Sequence, residues 1–276
     1  MLVAATKEDM EQYMDFAYSL ALDQTKSGYR LFSDGVSTKE QFIEHTRRGY
    51  QEKDQELLLF VADGEVEGWI QFYFIKADRY LQTTSFLTNR KTEQALSEFL
   101  EYTDQHFAGY ELYLGFPKKN SRAIAYLREH GCRLAEESYH DIFILDGSDL
   151  PPAPDGAVRV TESNFSDFRE LHQTEPDTYW NSDRMYAALD KWIIYLLYQE
   201  ERAVGYVCAR DGEIYHLGYR NQIFDREIYK RLVTQILIDF KAAGYHHLIF
   251  FHDEENQKAG LELGFSCVSE YALYIR

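Results

Sequence analysis

Apolar and polar residues follow the same order of strand and helix patterns in both halves of the chain. Residues 1–146 predict a short strand, two helices, three strands, a long amphipathic helix, a strand, a short helix and a last strand. Residues 157–276 repeat this β-α-α-β-β-β-α-β-α-β order, so the repeated unit is a whole domain. Runs of strands around interior helices predict an α+β fold with a mixed sheet in each half.

A segment rich in proline and glycine separates the two patterns. The stretch DGSDLPPAPDG, residues 146–156, holds three of the five prolines in the chain. Proline cannot continue a helix or a central strand, and 276 residues are enough for two domains. We therefore predict an N-terminal domain at 1–146, a linker at 147–156 and a C-terminal domain at 157–276.

The stretch NSRAIAYLREHGC, which starts at Asn120, predicts a short helix between two strands. Asn120 is a good N-cap because its side chain can accept a hydrogen bond from a free backbone N–H of the first turn. Gly131 suits the left-handed residue that follows a helix. Four side chains lie on one side of this helix by their spacing: Ala123, Tyr126, Leu127 and His130.

The formal net charge is −17. Nucleic-acid binding needs clustered basic residues and is therefore disfavoured. An acidic field attracts cationic substrates such as amines, although the same charge also serves solubility.

The positions of the cysteines and the first residues of the chain favour a cytoplasmic location. Cys132, Cys208 and Cys267 are scattered, which disfavours a disulfide framework or a zinc site and favours a reducing cytoplasm. The first residues lack the pattern of a signal peptide. No window approaches the roughly 20 apolar residues of a membrane span, so we expect no membrane association.

Together, the element order and the Asn120 unit resemble the GNAT superfamily of N-acetyltransferases, and the duplication is similar to its tandem (double-GNAT) proteins. The closing motif of that family reads roughly N-x-x-A-x-x-[LFY]-Y-x-x-x-G-F. In the first half its places are taken by Asn120, Ala123, Tyr126, Leu127, Gly131 and Cys132. The second half repeats it with three helix residues fewer, at Asn256, Ala259, Gly264 and Phe265.

The resemblance implies acetyl-CoA as co-substrate, an amine acceptor and no metal. In the family, the asparagine and two parallel strands that splay apart contact the pantetheine arm, whose amides satisfy unpaired backbone groups. Carried onto this chain, the residues implied to bind acetyl-CoA are Phe86, Leu87, Thr88, Arg90, Lys91, Thr92, Gln94, Asn120 and Ala123.

The family's glycine-rich pyrophosphate turn, [QR]-x-x-G-x-[GA], is absent from both halves. In the second half Phe224 takes the Gln/Arg place, and the Asp225 and Glu227 carboxylates would repel a pyrophosphate. In the first half Lys91 takes that place. Four basic side chains there could hold phosphates without glycine, or could be ordinary surface residues: Arg90, Lys91, Lys118 and Lys119. We expect the first domain to be the CoA site and the second to be structural or to help close the acceptor pocket.

The tyrosine that acts as general acid in the family corresponds to Leu127. Tyr126 lies one residue earlier, about 100° away around the helix, and is our candidate catalytic residue, with packing as the alternative role. The first long loop supplies the candidate acceptor residues Tyr29, Arg30, Phe32 and Asp34. Asp34 could pair with a substrate ammonium or could start a turn.

The resemblance thus predicts a cytoplasmic acetyltransferase that moves acetyl from acetyl-CoA to an amine of a small molecule or peptide. The alternative is a degenerate GNAT-fold protein that binds a ligand without turnover. A third class, an aminoacyl-transferase, would need a basic surface for tRNA, which the net charge of −17 disfavours. The sequence leaves a homodimer open.

Overall fold

The structure is a computed structural model that describes residues 1–28, 31, 33, 36–174 and 179–276. It contains two compact units. The first comprises Met1–Ser138 and Ser269–Arg276, and the second comprises Tyr139–Val268. No helix in the described ranges has both the length and the hydrophobicity that crossing a membrane requires.

The first unit alternates strands and helices in the order that its residue pattern predicts, with one short strand added. Its elements are β1 (Leu2–Ala4), α1 (Lys7–Ala21), β2 (Ser27–Gly28), α2 (Lys39–Gln51), β3 (Gln55–Ala62), β4 (Glu65–Ile75), β5 (Tyr80–Thr88), α3 (Thr92–His106), β6 (Glu111–Pro117) and α4 (Ser121–Glu129).

The second unit has the same plan. Its elements are β7 (Arg133–Ile144), which enters this unit from Tyr139, β8 (Ala157–Arg159), α5 (Phe165–Leu171), α6 (Ser182–Ala187), β9 (Ile193–Gln199), β10 (Arg202–Arg210), β11 (Glu213–Tyr219), α7 (Arg226–Ala242), β12 (His247–His252) and α8 (Glu254–Leu263). The last strand of the chain, β13 (Ser266–Ile275), belongs to the first unit from Ser269 onward. The predicted α+β class with a mixed sheet is confirmed.

Each unit completes its sheet with a strand from the other half of the sequence. Within the first unit the strands follow the order β1-β3-β4-β5-β6-β13, and the last of them pairs antiparallel with β6, with Leu273 opposite Gly115. Within the second unit they follow the order β7-β12-β11-β10-β9-β8, with Asp141 of β7 opposite Phe250 of β12. The contacts therefore divide the chain at Ser138 and Ser269, whereas domains at 1–146 and 157–276 follow sequence order and stay a prediction.

Apolar side chains that alternate between the two faces of β4 contribute to a core on each face. Trp69 is buried with α1 and α2, whereas its neighbours Ile70 and Phe72 are buried with α3 and α4. Successive side chains of a strand point to opposite faces, so both faces of this strand are apolar and covered. Helices α1 and α2 begin at capping boxes formed by Thr6 with Asp9 and by Thr38 with Gln41.

His172 ends α5 in the core of the second unit. Its ring stacks on Phe168, with 4.8 Å between centroids, and its Nδ1 lies 3.0 Å from Ser182 Oγ. Burial lowers the pKa of His172 to about 4, and the nearby His216 acts in the same direction. The side chain is therefore neutral in the folded protein at pH values where an exposed histidine takes up a proton.

Replacing His172 with Asn should flatten the pH dependence of stability. In wild type, the unfolded state binds one proton more than the folded state between the ordinary pKa of 6.5 and about 4. The unfolding free energy should therefore fall with decreasing pH in this window, by up to about 1.4 kcal/mol per pH unit from this group. Urea denaturation of both proteins at several pH values measures the difference. Equal pH slopes would contradict the assignment.

Candidate functional site

Strands β5 and β6 lie side by side only at their beginnings. They pair in parallel from Tyr80 opposite Glu111 to Gln82 opposite Tyr113. Beyond these residues the two strands separate, while β4 stays paired with the other edge of β5 as far as Thr88. The gap between β5 and β6 is where the resemblance places the pantetheine arm.

Strand β2 fills this gap. Ser27 pairs antiparallel with Leu87 and Gly28 with Phe86, and the Thr88 N–H donates a hydrogen bond of 2.9 Å to the Lys26 carbonyl oxygen. Because β4 occupies one edge of β5 at Phe86 and Leu87, β2 must lie on the edge that faces β6. The backbone groups of β5 that a ligand would use are therefore paired with the protein itself.

Gly28 lets the inserted strand approach β6. A Cβ atom at this position would stand 2.8 Å from the Gly115 carbonyl oxygen and 2.7 Å from the Phe116 ring. The backbone oxygen cannot move aside without disturbing β6, so a larger residue would push β2 outwards. Glycine is required here for close approach.

Asn120 holds β2 in place from the end of β6. Its Oδ1 accepts a hydrogen bond of 3.3 Å from the Ala123 N–H, which confirms the predicted N-cap, and its Nδ2 donates one of 3.2 Å to the Ser27 carbonyl oxygen. The residue is only 1% exposed. The resemblance predicts that the Asn120 side chain contacts acetyl-CoA. In this structure its amide oxygen and its amide nitrogen both form hydrogen bonds within the protein.

Helix α3 starts without a side-chain cap. Lys91 at its N-cap has a left-handed backbone, φ 59°, and the Thr88 and Thr92 hydroxyls lie 2.9 Å apart just behind it. The first-turn N–H groups of a helix have no acceptor within that helix. This helix end therefore keeps the partial positive charge that can attract an anion.

The basic side chains near this helix start are nevertheless paired with carboxylates. Arg90 donates to Glu67, whose side chain is 5% exposed, and this hydrogen bond is the main cause that lowers the pKa of Glu67. Lys91 Nζ lies 2.5 Å from Asp63 Oδ2.

The two lysines on the facing loop differ from each other. Lys118 lies 3.1 Å from Glu137 and 3.3 Å from Glu270. Lys119 forms no ion pair with the residues that the structure describes. A phosphate would therefore compete with a carboxylate at three of the four predicted basic positions.

The remaining predicted cofactor residues take ordinary structural places. Phe86, Leu87 and Ala123 are fully buried in the cores, so only their backbone could face a ligand. The exposed Gln94 donates to Glu98 over 3.0 Å. These positions and contacts do not place the four side chains around a common ligand site.

The predicted catalytic residue lies on α4 beside the core. Tyr126 stacks on His130, with 3.7 Å between centroids and 12° between ring planes, and is half-buried. Leu127, at the family's tyrosine place, is fully buried. The acid role of Tyr126 stays a prediction. The candidate acceptor residues Tyr29, Arg30, Phe32 and Asp34 lie outside the described residues.

The first unit in this arrangement does not fit acetyl-CoA. The β5 edge is paired with β2, the Asn120 amide is engaged, and most nearby cations have carboxylate partners. Reasoning from sequence missed β2 and Glu67. The only signal for β2 was Gly28 in a loop, since two residues are too few to show a strand period.

The second unit also places carboxylates where a pyrophosphate would need positive charge. Asp225 caps α7 by accepting hydrogen bonds from the N–H groups of Glu227, at 2.9 Å, and Ile228, at 3.0 Å. Asp253 caps α8 in the same way, so Asn256 lies inside the first turn and accepts a hydrogen bond of 2.6 Å from the Tyr219 hydroxyl. No group of three or more metal-ligating side chains occurs within the described ranges.

Solved structures with the same fold carry the acetyltransferase name. A GCN5-related N-acetyltransferase from Sphaerobacter thermophilus aligns with all of this chain and 95% of its own, at 14% identity and a TM-score of 0.63. A tandem GNAT protein from the clavulanic acid biosynthesis pathway aligns with all of this chain and 98% of its own, at 12% identity and a TM-score of 0.58.

A third structure, a GCN5-related N-acetyltransferase from Kribbella flavida, aligns with 76% of this chain and 88% of its own, at 12% identity and a TM-score of 0.51. No protein-family profile and no curated protein matches the sequence. At these identities the likeness establishes the fold. The chain has the tandem GNAT fold, as its sequence predicts.

Replacing Asn120 with Ala should cost more stability than the loss of an N-cap alone. The change removes a cap, worth about 1 kcal/mol, and a buried hydrogen bond to Ser27, worth about 1 kcal/mol more. Urea denaturation should show a loss of about 2 kcal/mol. Asn181, which caps α6 by accepting from the Arg184 N–H over 3.1 Å, is the matched control and should lose only about 1 kcal/mol as Ala. Equal losses would contradict the bond to β2.

Proposed function

We propose that this protein is a binding protein built on the tandem GNAT fold, which works without acetyl transfer. The observation that carries the proposal is the insertion of β2 between β5 and β6. In the family that this fold resembles, a ligand takes this position. Here the protein's own backbone takes it.

Exchange of β2 for acetyl-CoA would bring little net free energy. Leaving the gap breaks the β2–β5 pairing and the bond from Asn120 to Ser27, each hydrogen bond contributing about 0.5–1.5 kcal/mol. Pantetheine amides could at best restore similar bonds. Net affinity would then have to come from the pyrophosphate, where glycines are absent and Arg90 and Lys91 already have acidic partners.

The position of the general acid supports the same conclusion. Leu127 cannot donate a proton, and the packing of Tyr126 against His130 offers a structural role for the neighbouring tyrosine. A positioned general acid contributes about 10²–10⁴-fold to rate. Its absence would leave a slow reaction even if acetyl-CoA were bound.

The second candidate is acetyl transfer from acetyl-CoA to an amine of a small molecule or peptide, with the first domain as the CoA site. The fold shared with proteins named acetyltransferases favours it, as does the uncapped start of α3. It requires β2 to leave the gap. In this candidate the residues Thr88, Thr92 and Asn120 would contact the ligand.

For either candidate we propose a cytoplasmic location, two domains joined at 147–156, and a small-molecule or peptide amine as the ligand class. All three cysteines are free thiols, Cys132 and Cys208 buried and Cys267 exposed. This state is typical of a reducing compartment.

Titration calorimetry with acetyl-CoA separates the two candidates. We expect no saturable heat from wild type or from Gly28→Val, which would force β2 away from Gly115, because three of the four basic side chains at the phosphate end already have carboxylate partners. Circular dichroism confirms that the variant folds.

Micromolar binding by wild type would overturn the binding-protein proposal if Lys91→Glu weakened it tenfold, about 1.4 kcal/mol, and turnover with an amine followed. Lys53→Glu is the matched control, since it makes the same charge change ahead of β3, at the other end of the β3–β4 hairpin from Asp63. Binding by Gly28→Val alone would also overturn the proposal, by showing a CoA site that β2 merely covers.

A further inference from the structure

The second unit has its own diverging strand pair, and acidic groups surround it. Strands β11 and β12 pair in parallel only at Glu213 opposite Ile249 and Ile214 opposite Phe250. Tyr219 ends β11, α7 follows from Asp225, and α8 follows β12 from Asp253. The starts of both helices therefore lie at the carboxyl ends of these two strands.

Three exposed carboxylates at these helix starts form no salt bridge in the described part of the chain: Asp225, Asp253 and Glu255. Adjacent acidic residues do have partners. Glu254 pairs with Lys258 over 2.8 Å, and Glu262 pairs with Arg226 and Lys230. These three carboxylates thus lie beyond salt-bridge distance of any described basic side chain, although Asp225 and Asp253 accept backbone hydrogen bonds as helix caps and Lys258 acts on Glu255 at longer range.

The same carboxylates converge on one tyrosine. Burial raises the pKa of Tyr219, and Tyr229 and the negative charges of Asp253, Asp225 and Glu255 raise it further. The Tyr219 hydroxyl donates to Asn256 Oδ1 over 2.6 Å, and Asn256 Nδ2 donates to Asp253 Oδ2 over 3.0 Å. This hydrogen-bonded chain joins β11 to the first turn of α8.

A buried hydroxyl without a partner lies at the base of this group. Tyr229 is fully buried, and no described residue forms a hydrogen bond with its hydroxyl. The oxygen lies 2.9 Å from where a Cβ on Gly260 would stand, on the face of α8 that also carries Asn256 one turn earlier. An unpaired buried hydroxyl costs free energy, which a bound donor would recover.

Aromatic rings complete the surroundings. Phe224 contacts Tyr219 at 5.6 Å and Tyr229 at 6.4 Å between ring centroids. The faces of such rings attract cations. Beneath Tyr229, the fully buried Asp141 lies with its Oδ2 3.1 Å from His252 Nε2, and its negative charge also acts on Tyr229.

We propose that the second unit binds a small organic ammonium ion at the diverging ends of β11 and β12. Asp225, Asp253 and Glu255 supply negative charge at the mouth, the rings of Tyr219 and Phe224 supply π faces, and the Tyr229 oxygen accepts a hydrogen bond from the ligand. This inference rests on the proposed binding function and names its ligand class. Carboxylates and ring faces both favour an alkylammonium and repel a phosphate.

Calorimetry of the full chain with putrescine, a short diamine, tests the site at low ionic strength. We expect saturable binding by wild type and none of 1,4-butanediol, which has the same length without charge. The double variant Asp253→Asn, Glu255→Gln should weaken binding by about fivefold or more. Glu254→Gln on the same helix, whose carboxylate already pairs with Lys258, should change it less than twofold, by about 0.4 kcal/mol at most.

Asp225→Asn tests the α7 side without loss of folding, because asparagine caps a helix as well as aspartate does. It should weaken putrescine binding by about threefold. Tyr229→Phe keeps the ring and removes the unpartnered hydroxyl. It should leave the thermal midpoint unchanged or raised, yet weaken binding by about tenfold.

The outcomes separate this inference from the proposed function. No putrescine binding, or binding that every variant leaves unchanged, overturns the ammonium site even if acetyl-CoA also fails to bind. Equal binding of butanediol overturns the role of charge. Acetyl-CoA turnover overturns the binding-protein proposal, whereas putrescine affinities that follow the variants would still locate an ammonium site in the second unit.

Discussion

The backbone pairing of Ser27 and Gly28 with Phe86 and Leu87 is the constraint on which the first site depends. Parallel strands that diverge leave unpaired N–H and C=O groups, and such groups need a partner when they are buried. A ligand or the protein's own chain can supply it. Here the chain supplies it, and Asn120 fastens the inserted strand to the end of β6.

The two units treat their helix starts in different ways. Helix α3 leaves its first turn uncapped, and three of the four basic side chains near it have carboxylate partners, as Arg90 has Glu67. Helices α7 and α8 carry aspartate caps and further acidic charge. Neither arrangement presents the net positive charge that a pyrophosphate requires. The net charge of the whole chain is −17, and part of its negative charge is concentrated at these helix starts of the second unit. The same charge also has a general effect on solubility.

A shared fold and the proposed loss of the acetyl-CoA site are compatible because they rest on different residues. The cores on the two faces of β4 and the order of elements keep the GNAT architecture at 12–14% identity to the structures compared. The chemistry depends on a few positions, such as Leu127, Gly28 and Asp225. Function lies in sites placed on a fold, so those positions decide it.

The sequence by itself determined the features that depend only on residues close together in the chain. Periodicity predicted the element order and the duplicated α+β fold, and short-range rules predicted the Asn120 cap and the acidic start of α7, because helix periods and caps involve residues within one or two turns. Only the tertiary structure decided which edges pair. The Asn120 bond to Ser27 spans 93 residues. The pairings of β6 with β13 and of β7 with β12 join residues still farther apart in the chain. Such contacts depend on which backbone edges remain unpaired after the helices and strands pack. A local sequence pattern does not contain this information.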